Sequence, residues 1–276
     1  MTALPFLSTT QIAALSTTTA AALTSSALAE LSVYQVAALT SIDIPYITTT
    51  ALTGLNQTQF AALAAGAVAA LTTTQMQDLA VTQIASLTAD QLAPLNTTQL
   101  DLLRGAAYGS LVATQMIALS AALIAAFTTT QAAALNTTQL GVLTPSQIGA
   151  FTSTQIADMT STQLAGLTSA QFTGLTSTQC AAITSTQAAA LTGAELGVLT
   201  GPQMAAFSST AFGNLTTTQL GQISTSGIAA LVSAQIGTLS ATDIAGLTPT
   251  QANSFRASQV ALMTTTQADA LAALIG

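Results

Sequence analysis

The sequence predicts an all-α solenoid built from one short, capped helix per octapeptide. Three observations predict it: an unbroken eight-residue repeat, a helix-capping pair at fixed places within it, and a composition almost without charge.

The repeat comes first because it accounts for nearly the whole chain. Stepping by eight from Leu7 lands on an apolar residue at all 34 positions to Leu271, with no insertion or deletion. With that position named a, the octads read LTSAQFTG from Leu167, LTSTQCAA from Leu175 and ITSTQAAA from Ile183. Position b is Thr, Ser or Asn in 27 of 33 octads; position e is Gln in 22, with Asp43, Glu195 and Asp243 as acids there. Position f is mostly large and apolar, while g and h favour Ala and Gly. The expected organisation is a lead-in over residues 1–6, a single array of 33 octads over 7–270, and a partial terminal repeat over 271–276.

One long helix cannot carry this pattern. At about 100° per residue, eight residues advance position a by about 80°, so the apolar stripe would wind around the helix. The helix must break in every octad, and the repeat supplies the break. A Thr, Ser or Asn three residues before Gln is a capping box, and the apolar residue before the cap, facing the one at the fourth helical position, is a hydrophobic staple. Pro145 and Pro249 follow Thr144 and Thr248 at the first helical position, where the missing N–H costs nothing. Ala at g and h continues the helix, and Gly there loosens its end. Helices of roughly six residues do not stand alone. They require burial of a and f against neighbouring octads, which is the logic of a solenoid.

Two further expectations concern spacing and surface. Eight octads depart strongly at e, starting at 15, 23, 47, 63, 103, 119, 207 and 223, and three pairs lie 16 residues apart. That suggests spatial neighbours two octads apart. The polar surface is assigned to Thr, Ser, Gln and Asn together. The competing fold is a β-solenoid, in which TST and TTT triplets place Thr48 and Thr50, Thr152 and Thr154, or Thr176 and Thr178 on one strand face. Its stacked threonines would form a flat array suited to ice or another ordered surface. The abundance of Ala argues against strands.

Composition excludes several function classes. Hydrophobic residues make up 50% of the chain and charged ones 4%, against about 25% charged in an ordinary soluble domain. Disordered chains are the opposite, poorly hydrophobic and highly charged. The net charge is −7, with Arg104 and Arg256 the only cations, so no basic surface exists for nucleic acid or anionic lipid. The longest apolar run, from Phe60 to Leu71, is far short of the roughly 20 residues of a membrane span. Thr24 to Glu30 reads like a small-residue cleavage site, but no basic residue precedes it and it keeps the repeat register.

No catalytic, cofactor-binding or metal site is expected. Without histidine there is no Ser-His or Cys-His pair. The acids fall at four different repeat positions with no D-x-D spacing, so neither a carboxylate pair nor a calcium cluster follows. Asp101 and Arg104 would form only a surface pair. Cys180 and Tyr108, both at f, read as core; Cys180 alone permits no disulfide. Tyr34 and Tyr46 lie at polar or edge positions as candidate contacts. The threonine face reads first as helix caps. The chain is therefore expected to be non-enzymatic, with no cofactor and no small-molecule substrate.

The L-T-x-x-Q-Φ-A-x octads, as in MTSTQLAG from Met159 and LTTTQLGQ from Leu215, resemble tracts of large bacterial secreted or surface proteins. The resemblance implies an extracellular structural or adhesive setting, secreted or at the cell surface, although no secretion signal or calcium-binding module is recognisable. The first octad, LSTTQIAA, is as regular as interior ones, and the sequence closes on LAALIG without a polar cap. Open ends of this kind predict a self-assembling rod or filament subunit whose partner is another copy, joined head to tail.

Overall fold

Most described octads bend the chain in the same way. Thr168 at b is extended (φ −75°, ψ 157°) and its hydroxyl accepts the Gln171 N–H at 3.3 Å; Gln171 Oε1 accepts the Thr168 N–H at 2.7 Å. One turn on, the Phe172 N–H donates to the Thr168 carbonyl at 3.1 Å, and the Leu175 N–H donates to the Phe172 carbonyl at 3.2 Å. Position a then returns to extended backbone, as at Ile183 (φ −61°, ψ 122°) and Leu191 (φ −66°, ψ 144°). The helix therefore stops every eight residues.

The computed structural model describes residues 4–102 and 111–276. Among these residues every regular element is a helix and none is a strand. The fold is the all-α solenoid of short capped helices, one per octad, and the β-solenoid alternative is overturned. The b hydroxyls that could have formed strand ladders are occupied as caps instead. Most helices run four to six residues; Leu4–Phe6 and Ile44–Tyr46 are single 3-10 turns.

The chain divides into two compact units, Met1–Leu135 and Asn136–Gly276. Within each, a helix packs on the one three octads later. In the second unit one side of the stack is Ser153–Asp158, Ser177–Ala182, Gly201–Ala206, Thr225–Ile228 and Pro249–Ala252. A second side includes Ser161–Ala165, Ser185–Ala190, Ser209–Gly213 and Ser233–Ile236; a third runs from Pro145–Gly149 through Ser169–Phe172, Gly193–Gly197 and Thr217–Leu220 to Ala241–Ala245. The first unit repeats the rule, as in Gln57–Ala61 on Val81–Ser86 and Ala89–Leu92 on Ala113–Ala118. Three octads therefore make one turn, and the expected two-octad spacing is corrected.

Positions a and f fill the interior: Leu167, Phe172, Leu175 and Cys180 are at most 4% exposed, as are Leu55 and Phe60 in the first unit. Burying each Leu or Phe contributes about 1.5–3 kcal/mol, which compensates for helices too short to persist alone. Glycine at h does more than loosen a helix end. No described glycine has positive φ, so none forms a left-handed helix cap. At h, glycine admits the turn before: a Cβ at Gly54 would lie 2.1 Å from the Ser25 carbonyl oxygen, and one at Gly174 2.0 Å from that of Pro145.

The last helix, Thr265–Ile275, runs 11 residues and packs on both Ala241–Ala245 and Pro249–Ala252. Leu271 lies inside this helix, which continues through Ala272, and its side chain is buried. The helix lies across part of the final turn, correcting the expectation that this end is wholly uncovered.

Candidate functional site

The feature that organises the interior is a column of buried glutamines. Gln at e lies in the first turn of its helix, where Oε1 accepts the b N–H. That leaves the Nε2 hydrogens pointing inward, toward the preceding turn. Gln187 Nε2 donates to the carbonyls of Ile156 at 2.9 Å and Met159 at 2.6 Å; Gln203 does the same to Phe172 at 3.1 Å and Leu175 at 2.7 Å. In the first unit Gln59 reaches Leu28, Ala29 and Leu31, the last at 2.7 Å. The acceptors are the f and g carbonyls of one octad and the a carbonyl of the next, at the corner where the chain turns. Carbonyls at helix ends lack helical partners, and burial without a partner is costly. The amide supplies that partner, so each rung binds one turn to the turn before.

This placement corrects the assignment of Gln to the surface: Gln171, Gln179, Gln187 and Gln235 are at most 2% exposed. Among the described residues no buried side-chain nitrogen or oxygen lacks a partner. Rung and cap also substitute for one another. Where b has no hydroxyl, as at Ala80, Val232 and Arg256, Gln still accepts the b N–H at 2.7–3.1 Å. Where e is Gly227, the Ser224 hydroxyl donates to the Leu199 carbonyl at 3.2 Å.

The three acids at e behave differently. Glu195 is 3% exposed, and Oε2 accepts the Thr192 N–H at 2.6 Å. Burial pushes its carboxyl above the ordinary range, against the lowering effect of the Thr192 hydrogen bonds. Asp243, one methylene shorter, is held outside the column by Ser240 and by the Thr217 hydroxyl at 2.8 Å. Partial burial is the largest single influence on it and raises its pKa, but the hydrogen bonds from Ser240 and Thr217 together hold it below the ordinary value. Asp43 is buried and accepts from the Thr40 hydroxyl and N–H at 2.7 and 3.0 Å.

The remaining sequence candidates do not converge. Cys180 is fully buried and burial pushes its thiol up to about 12, as a core residue. Tyr34 and Tyr46 are 77% and 53% exposed. Tyr108 and Arg104 lie outside the described residues, as does the side chain of Asp101. Thr152, Thr154, Thr176 and Thr178 are exposed, but Thr152 and Thr176 cap helices by accepting the N–H of Gln155 and Gln179 at 3.2 Å. Among the described residues no three His, Cys, Asp or Glu side chains are grouped to hold a metal ion, and no helix is long and apolar enough to cross a membrane. Comparison with protein-family models, curated proteins and solved structures finds no match.

Proposed function

We propose that the chain is a non-enzymatic structural protein that joins copies of itself head to tail into filaments, in a bacterial surface or extracellular setting. The observation that carries this reading is the turn-to-turn interface. It uses the same groups in every turn: a and f side chains, and an e amide donating to corner carbonyls. Edge turns offer these groups incompletely used. Leu7 and Leu15 at a are half-buried and Gln11 at e is exposed, in contrast to interior positions. In the last turn Phe255 and Met263 at a are half-buried, and beside them Leu262 at h is 55% exposed. A second copy would offer one edge the partner that the next turn provides inside. Contacts of this kind are heterologous and grow filaments unless they close into rings.

Composition supports the non-enzymatic part: there is no histidine or lysine, and reaction sites require a base or nucleophile with its orienting partner. The low cation content likewise speaks against nucleic acid as the partner. Sedimentation velocity and electron microscopy across a concentration series test the proposal. Filaments or rings are expected, shortened by Leu262→Glu without loss of helical circular dichroism. A stable monomer at high concentration would refute it.

A further inference from the structure

We propose that Glu195 is a proton-dependent rung of the glutamine column, donating an un-ionised carboxyl O–H to the Leu167 carbonyl and releasing that carbonyl when it ionises. The repeat defines the geometry. Around it, Gln171, Gln179, Gln187, Gln203 and Gln219 each place Nε2 at 2.6–2.7 Å from the carbonyl 28 residues earlier. For residue 195 that carbonyl belongs to Leu167.

Glutamate has the length of glutamine, and the outer half of its rung is in place, with Oε2 on the Thr192 N–H at 2.6 Å. The inner half is not: among the described residues the Leu167 carbonyl oxygen accepts no hydrogen bond. Leu167 is itself buried, so the carbonyl has the same need as its equivalents. A carboxylate brings only acceptors to that place, whereas a carboxylic acid brings one donor. Proton and bond balance simply: the acid proton stays on the second carboxyl oxygen and points at the carbonyl, and its loss to water leaves two oxygens facing each other.

No charge nearby competes for this role. Neither the Glu195 helix, Gly193–Gly197, nor its stacking neighbours, Ser169–Phe172 and Thr217–Leu220, contain another titratable group; nor does Ser161–Ala165 before the corner. Cys180, in the core two octads earlier, stays an uncharged thiol. The upward displacement of the Glu195 carboxyl by burial agrees with the geometry. A cation is a poorer occupant, since calcium needs six to eight oxygens.

The sign of the effect follows. A carboxyl whose folded-state pKa is raised contributes full stability below the ordinary value of 4.5 and loses it as pH rises through the folded value. The test compares the full chain with Glu195→Gln, which keeps the donor at every pH. In acid the two should melt together; toward alkaline pH the native chain should fall progressively below the variant by a few degrees. Infrared difference spectra against the variant should show the C=O stretch of one un-ionised carboxylic acid above pH 4.5. A melting difference that does not change with pH, or absence of that band, would overturn the proposal.

Discussion

The octads beginning at Leu167 and Leu63 form the same bend with different equipment. The first has the full set: Thr168 caps, Gln171 closes the box, and Gln171 Nε2 holds the Leu140 and Leu143 carbonyls at 2.7 Å. The second has Ala64 at b and Ala67 at e, with no side-chain cap. Yet Ala65–Ala69 is a helix, Ala64 keeps its extended backbone (φ −62°, ψ 145°), and the Val68 N–H donates to the Ala64 carbonyl at 3.1 Å. Leu63 and Val68 are 3% and 0% exposed, like their counterparts Leu167 and Phe172. Burial of a and f therefore shapes the octad, whereas cap and rung stabilise a bend that burial already imposes.

Four substitutions rank these contributions. Leu167→Asp puts an unpaired charge among buried side chains and should cost on the order of several kcal/mol; denaturant titration followed by circular dichroism would measure it. If the cost were no larger than that of removing a cap, position a would not be the core. Gln171→Ala removes the rung and leaves a cavity and the buried Leu143 carbonyl without its donor, while the Leu140 carbonyl keeps the Leu143 N–H, for about 2–4 kcal/mol. The smallest effects form a pair with opposite signs. Thr168→Ala should cost about 1 kcal/mol, and Ala64→Thr should gain about as much by adding the missing cap. Equal and negligible changes at both sites would show that the b hydroxyl is dispensable everywhere.

Much of this was legible in the residues. Cap, third-position amide and staple predicted helix starts such as Thr168 and Thr176, because each rests on contacts within one octad. The inward half of the glutamine is not legible locally, because a capping box by itself accounts for a Gln or Glu at e. The available signal was the ratio: a capping box accepts Glu or Gln, yet e holds 22 glutamines and one glutamate. Only the amide carries both the acceptor for the cap and the donor for the next turn. The three-octad turn was hidden for another reason. Identical octads look alike on every side of a stack, so only the departures at e could mark the period, and pairs such as Ala51 and Ala67 pointed to 16 residues instead of 24. The chemistry of Glu195 was likewise invisible until e was seen to face inward.

The e-position glutamines bind successive turns through buried Nε2 groups. Side-chain amide hydrogen exchange, read by NMR, reports on these bonds, and the chain carries its own controls. Gln57, Gln77 and Gln222 lie at other positions and are exposed, and Gln11 is at e but exposed. Slow exchange is expected for the NH₂ groups of Gln83, Gln171, Gln187 and Gln235, and fast exchange for those four controls. Equally fast exchange at Gln171 and Gln77 under native conditions would contradict it.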